Sequence, residues 1–268
     1  MKTTDFFKLS NGVSVPAIGF GTWQIPPGDI TYNSVKEALK AGYRHIDTAQ
    51  AYGNEASVGQ AIRDSGIDRS EIFVTSKLPA EIKSYFRAGR HAEFTMKKIG
   101  LDYIDLYLIH APWPWTEIGA DYTKENIEVW KAMEEFYESG KTRSIGISNF
   151  NVKDIDAILE NCRIKPMVNQ IKLHIGHPQE EIVSHCVKND IIVEGYSPLS
   201  TGKLLKNGEV AKIAGKYGSS VAQLSIRYVL EKGALPLPKS THPEYIRQNL
   251  DVDFEISTED MQHLDSLK

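Results

Sequence analysis

LDYIDLYLIH (101–110) is the stretch whose reading decides the fold. From Ile104 to His110 it is a short apolar run without the in–out alternation of a half-exposed strand. That pattern predicts a strand buried on both faces, as in a parallel sheet. Downstream, Ala111–Tyr122 (APWPWTEIGADY) reads as a loop. Glu125–Glu138 then carries Ile127, Val129, Trp130, Met133, Phe136 and Tyr137 at helical spacing and stops at Gly140. Ser144–Ser148 is the next strand. The same unit recurs along the chain. Strands are predicted at Ala17–Gly21, Arg44–Asp47, Ile72–Lys77, Ile104–His110, Ser144–Ser148, Met167–Ile171, Ile191–Ser197 and Leu235–Lys239. Helices are predicted at Ser34–Ala41, Glu55–Asp64, Glu125–Glu138, Val152–Leu159, Glu180–Lys188 and Val221–Glu231. The last helix ends near Leu264–Lys268. Strands alternating with helices give an α/β fold with a parallel sheet.

The chain has 268 residues, a natural length for one (β/α)8 TIM barrel of about 250 residues. Residues 1–268 are therefore read as a single barrel domain. A doubly wound sheet is disfavoured because no glycine-rich phosphate loop follows an early strand. Gly19-Phe20-Gly21 begins such a motif, but position 24 is Gln. Ahead of the barrel, Phe6–Leu9 and Val13–Val15 flank Asn11-Gly12 and predict a β-hairpin capping the barrel bottom.

Bulk properties narrow the function classes. Hydrophobic residues make up 41% and charged residues 25%, with a formal net charge of −4. No basic excess points to nucleic acid, and no run reaches the ~18 apolar residues of a membrane span. Cys162 and Cys186, both placed in helical stretches, are too few for a disulfide framework. A reducing cytoplasm is the expected compartment. The N-terminus lacks a signal-peptide core.

Barrel enzymes place their chemistry where strands end. Strand two ends in Asp47, with Tyr52 in the loop beyond it. Strand three ends in Lys77, and strand four in His110. Together they form an acid apparatus for carbonyl reduction. A tyrosine can protonate a carbonyl oxygen but is a reluctant acid, with a free pKa of ~10. An adjacent ammonium, Lys77, favours the phenolate and lowers that pKa. Asp47 keeps the ammonium charged, and His110 donates a hydrogen bond to the carbonyl. Singly, each residue has a plainer reading as a turn, surface or packing residue. His45 is read as packed, and His185 carries no reading beyond structure. His174-x-x-His177 lacks further ligands, so no metal site is expected.

Over nearly its whole length the sequence resembles the aldo-keto reductase superfamily. The matching pieces are GFGTWQ (19–24), HIDTAQAYGNE (45–55), SKL (76–78), LDYIDLYLIH (101–110), GKTRSIGISNF (140–150), NQIKLH (169–174), YSPL (196–199) and LPKS (237–240). It is similar to the short microbial type, among the 2,5-diketo-gluconate reductase-like and prostaglandin F synthase-like members. The resemblance implies NAD(P)H-dependent reduction of aldehydes or ketones, with a catalytic tetrad of Tyr52, Asp47, Lys77 and His110. It implies nicotinamide contacts from Ser148, Asn149 and Gln170, and stacking by Tyr196. Gly21, Thr22, Ser197 and Leu199 would line the cofactor path. Lys239 and Ser240 would face the adenosine, with Gln248 and Asn249 near adenine. Trp23, Trp113 and His110 would meet a small carbonyl substrate.

Three positions depart from the family pattern. Ala111 stands where Trp is frequent. Lys172 stands where an acid is frequent. Tyr245 stands where an arginine commonly meets the cofactor 2′-phosphate. Arg247, two residues on, does not share that helical face. The implied cofactor is NADPH with weakened discrimination, so that NADH also serves. The short C-terminus implies an open site, and short members are expected to be monomers. A competing reading is a non-catalytic, cofactor-sensing barrel like the potassium-channel β-subunits, which the intact tetrad disfavours. A barrel hydrolase or isomerase would want paired carboxylates or metal ligands at strand ends.

Overall fold

Eight parallel strands form one continuous sheet in the computed structural model, which describes residues 1–267. They are β3 (Phe20–Gly21), β4 (His45–Asp47), β5 (Phe73–Leu78), β6 (Leu106–Ile109), β7 (Ile145–Ser148), β8 (Val168–Lys172), β9 (Ile192–Tyr196) and β10 (Leu235–Leu237). Each pairs with its neighbour in sequence order. The two edges then meet, because the amides of Gly19 and Gly21 donate to the carbonyls of Pro236 and Pro238 at 3.0 and 2.9 Å. The sheet is a closed (β/α)8 barrel, as the alternation predicts.

All eight predicted strands are present, most of them shorter than expected. β3 contracts from Ala17–Gly21 to two residues. Gly19 packs too tightly for a side chain, since a Cβ there would lie 2.5 Å from Leu237 and 2.7 Å from His45. Ahead of the barrel, β1 (Phe6–Lys8) pairs antiparallel with β2 (Ser14–Pro16). Only Gly12 of the Asn11-Gly12 pair takes the left-handed conformation, with φ +86°. The loop is thus wider than a two-residue turn. Asn11 instead donates its side-chain amide to the Arg143 carbonyl at 2.9 Å. Arg143 lies just before β7, so the hairpin is fastened at the N-terminal mouth of the barrel.

Among the described residues ten helices surround the barrel: α1 (Asp29–Ala41), α2 (Glu55–Arg63), α3 (Tyr85–Ile99), α4 (Thr123–Glu138), α5 (Val152–Leu159), α6 (Glu180–Lys188), α7 (Gly208–Lys216), α8 (Val221–Glu231), α9 (Pro243–Gln248) and α10 (Thr258–Ser266). α5, α6 and α8 have the predicted bounds. α5 and α8 begin with reciprocal capping boxes, Asn151 with Asp154 and Ser220 with Gln223. α1 starts five residues earlier than the pattern suggests. α3 and α7 are absent from the sequence reading, and α9 is given no bounds there. α3 buries Ala88, Ala92, Thr95 and Ile99, a face too small and too polar to register as an apolar stripe. α7 begins at Gly208 and carries Gly215, and two glycines obscure its periodicity. Cys186 lies in α6 as expected. Cys162 lies beyond the end of α5, so its helical placement is corrected. Lys268, at the end of the expected last segment, falls outside the described residues.

No described helix is long and apolar enough to cross a membrane.

Candidate active site

Asp47, Lys77 and His110 stand at the C-terminal ends of β4, β5 and β6, as the strand pattern requires. Tyr52 is presented by a single 3-10 turn, Gln50–Tyr52, which Gly53 ends at φ +72°. The turn is pinned by a residue the sequence reading did not single out. Buried Asn54 accepts from the Thr48 hydroxyl at 2.7 Å and donates to the carbonyls of Thr22 and Ile25 at 3.0 and 3.1 Å. Its signal was present in HIDTAQAYGNE, but a lone Asn after a glycine reads as an ordinary loop residue.

The four side chains converge. Lys77 is fully buried and donates to both Asp47 carboxylate oxygens, at 2.7 and 2.6 Å, and to the Thr48 carbonyl at 2.9 Å. Its Nζ lies 3.4 Å from the Tyr52 Oη. The Tyr52 and His110 rings meet edge-on at 5.6 Å. Burial works against the Lys77 charge, but Asp47 and Tyr52 outweigh it and hold the ammonium above its usual pKa. Burial pushes the Tyr52 phenol up from 10, and Lys77 pulls against that without reversing it. The expected lowering by Lys77 is therefore present as one contribution, while the net direction is upward. The phenol keeps its proton at neutral pH. Burial, and then the Lys77 charge, lower His110 to about 3, so its imidazole is neutral and carries one N–H.

These groups open into a cavity of about 770 Å³, inside the range of small-molecule and cofactor sites. Its walls hold Gly21, Trp23, Asp47, Tyr52, His110, Ser148, Asn149, Gln170, Tyr196, Ser197, Leu199 and Lys239, all expected from sequence. Six expected residues do not line it, and the first is Lys77, which is buried behind Asp47 and Tyr52. The Thr22 hydroxyl donates to the Asp47 carbonyl at 2.9 Å and so holds the strand end. Ser240 Oγ accepts the His242 amide at 3.1 Å, before α9. Gln248 is exposed and Asn249 buried beyond the cavity edge. Trp113 packs against Trp115 with ring centroids 5.2 Å apart, and it is Trp115 that reaches the wall, edge-on to His110 at 5.5 Å. The loop between them is held at its base: the Lys83 ammonium donates to the Ala111 carbonyl, and the Asn126 amide to that of Pro112, each at 2.8 Å.

Opposite the tetrad, Asn149 takes a left-handed φ of +63° and donates to the His110 carbonyl at 2.9 Å. The Tyr196 hydroxyl donates to Asn149 Oδ1 at 2.7 Å, which fixes the Tyr196 ring beside the cavity. Gln170 Nε2 donates to Asp47 Oδ2 at 2.9 Å and to Glu194 Oε2 at 2.8 Å. Both amide hydrogens are thus engaged, and the Gln170 side-chain oxygen Oε1 has no partner among the described residues. Ser197, Ser200 and Thr201 all adopt left-handed backbone conformations in the segment that forms one cavity wall. Lys172 also lines the cavity, two residues beyond Gln170 on the same face of β8.

The residues fit a nicotinamide dinucleotide. An acceptor faces the cavity from Gln170, polar groups of Ser148 and Asn149 lie beside it, and a cation stands at Lys239. At the position where an arginine is common, Tyr245 is exposed. Arg247 is engaged by Glu37 of α1, with Nε donating at 2.9 Å, and so is not a substitute cation. Among the described residues no cluster of three or more potential ligands could hold a metal ion.

Comparison with known proteins agrees with this geometry. The model of the "Aldo/keto reductase family" matches residues 17–268. The chain is 42% identical to glyoxal reductase of Bacillus subtilis over 264 residues, 98% of this chain and 92% of that protein. The solved structure of MGS-M4, an aldo-keto reductase from a Medee basin deep-sea metagenome library, superposes with TM-score 0.90 at 42% identity, covering 98% of this chain and 96% of that one. The Bombyx mori aldo-keto reductase in complex with NADP superposes with TM-score 0.88 at 34% identity, covering 99% and 93%.

Proposed function

The chain belongs to the aldo/keto reductase family, and on that premise we propose that it reduces small aldehydes and ketones to alcohols with a nicotinamide cofactor, Tyr52 giving the proton. The observation that carries this reading is the Lys77 ammonium, buried against the Asp47 carboxylate and the Tyr52 phenol beneath the floor of the cavity.

When bound, the cofactor supplies a hydride for the carbonyl carbon. Everything else falls to the protein. Neutral His110 directs an imidazole N–H at the carbonyl oxygen and orients it. Tyr52 Oη passes its proton to that oxygen as negative charge gathers there. The Lys77 charge stabilises the phenolate left behind, and Asp47 fixes Lys77 and keeps it protonated. Trp23 and Trp115 supply apolar walls that limit water around the substrate. Ser148, Asn149 and Gln170 hold the carboxamide, Tyr196 stacks on the nicotinamide, and Lys239 faces the phosphate end. Thr22 and Ser240 act from behind, by holding the backbone of that path, and Gln248 and Asn249 are the proposed neighbours of adenine. Glyoxal reductase is a relative named for a small dicarbonyl, which accords with a small substrate. NADPH is the proposed cofactor, with NADH also accepted because Tyr245 replaces a cation. Two free thiols agree with a reducing compartment such as the cytoplasm.

The test is cofactor oxidation followed by absorbance with a panel of carbonyl compounds, wild type against Tyr52→Phe. Loss of the acid is expected to lower kcat by about 10²–10⁴-fold while leaving the thermal midpoint and cofactor binding close to wild type. Full activity in Tyr52→Phe would remove Tyr52 from the reaction.

A further inference from the structure

Beneath the tetrad the barrel interior holds a carboxyl group that the mechanism above does not use. Glu194 sits in the middle of β9, fully buried, in register with Gln170 of β8 and Leu235 of β10. Its Oε2 accepts from Gln170 Nε2 at 2.8 Å, while its Oε1 has no partner among the described residues. His45 Nε2 lies 4.0 Å from that oxygen and bonds the Thr75 hydroxyl at 2.9 Å, and His45 Nδ1 is also unpartnered. A carboxyl group in an apolar barrel core is costly to keep and would be replaced at little expense by an aliphatic residue. Its single hydrogen bond points to its use.

That bond decides which way an amide faces. Gln170 could present either its carbonyl oxygen or its NH2 to the cavity. Asp47 takes one of its N–H groups and Glu194 the other. Turning the amide would set its oxygen against the Asp47 carboxylate and leave that carboxylate short of a donor. We propose that Glu194 is a positioning residue: it locks the Gln170 side chain so that only a hydrogen-bond acceptor faces the cavity, and that acceptor reads the NH2 of the nicotinamide carboxamide. The assignment rests on the nicotinamide reading above, but concerns a residue that touches neither cofactor nor substrate. Without Glu194, Asp47 alone still holds one N–H. The amide is then held at one point only and swings about it, so that its acceptor no longer meets the carboxamide NH2 squarely.

The test uses two cofactors and measures binding rather than turnover. NADPH is compared with its analogue in which an acetyl group replaces the carboxamide and removes the NH2. Quenching of tryptophan fluorescence reports affinity. In wild type, NADPH should bind more tightly than the analogue. In Glu194→Leu the NADPH affinity should fall by about two- to ten-fold, the range expected for one lost hydrogen bond, with the analogue unchanged. Glu194→Gln retains an acceptor at the same reach and should restore the preference. Glu194→Asp draws the carboxyl back by one methylene and should behave like the Leu variant, so it decides the matter if the Leu variant does not fold. Equal weakening of both cofactors, or of neither, in the Leu and Asp variants would overturn the role of Glu194. If wild type itself binds the two equally, Gln170 does not read the NH2, and the carboxamide assignment falls first and takes this one with it.

Discussion

Tyr245 and Arg247 separate two demands that the commoner arginine meets at once. Tyr245 offers an exposed ring at the proposed adenosine end, with the His242 ring 5.4 Å away, but no charge. Arg247 has charge but spends it on Glu37. Of the positions read here as the phosphate end, only Lys239 supplies a cation on the cavity wall. A charge-assisted hydrogen bond to a 2′-phosphate contributes ~1.5–3 kcal/mol. Tyr245→Arg should therefore raise affinity for NADPH over NADH by about 10–100-fold, read from dissociation constants of both dinucleotides. An unchanged ratio would mean that Lys239 already provides the discrimination. At this scale the sequence was informative where a side chain stands at a strand end inside a distinctive local motif, as with Asp47, Tyr52, Lys77 and His110. It was uninformative for Asn54 and Glu194, whose importance lies in what they touch across the barrel. Glu194 is a single polar letter in an apolar strand, and nothing in its neighbours marks it.

Elements were legible in proportion to the apolar contrast they carry. β6 and α4 announce themselves through continuous and periodic large side chains. α3 does not, because close packing against α2 favours small residues on its buried face. The α2 side of that contact is Gly59, where a Cβ would lie 1.7 Å from the Ile99 carbonyl oxygen. A methyl group there cannot be accommodated by rotating a side chain, since the obstacle is backbone. Gly59→Ala should cost about 1–3 kcal/mol or more in stability, measured by urea unfolding, even though alanine ordinarily favours a helix over glycine. A stabilised variant would show that α2 and α3 are free to slide apart. The loop after β6 illustrates the other limit. APWPWTEIGADY has no periodicity, so the sequence gives no basis for choosing between Trp113 and Trp115. The choice follows from where Lys83 and Asn126 anchor the loop.

Across the whole molecule, the buried polar layer inside the barrel sets how stability depends on pH. Burial, and then Lys77, hold His45 and His110 near 3, against an ordinary 6.5. The unfolded chain takes up those protons and the folded chain refuses them, so this part of the stability is complete above pH 6.5 and is lost as pH falls toward 3. Glu194 has the opposite sign. Burial first and the Asp47 charge second push it up to about 8, from 4.5. The folded state keeps a proton that the unfolded chain releases, so its contribution is complete below pH 4.5 and drains away as pH rises through 8. Between 6.5 and 8 these histidines are silent and Glu194 is still titrating. At ~1.4 kcal/mol per pH unit, that interval removes about 2 kcal/mol. Burial lowers Lys83 to about 8, which adds stability mainly above that pH and does so equally in a Glu194 variant. The comparison is therefore the urea midpoint of wild type and Glu194→Gln at pH 6.5 and at pH 8. Wild type should lose stability over the interval, and the neutral isostere should lose less by about that amount. Parallel losses in the two proteins would place the alkaline sensitivity elsewhere and show that Glu194 ionises without cost. A smaller loss in the variant, together with an intact preference for the carboxamide cofactor, would show that the acceptor and the ionisable proton of Glu194 are separable, the first serving Gln170 and the second setting the alkaline edge of the fold.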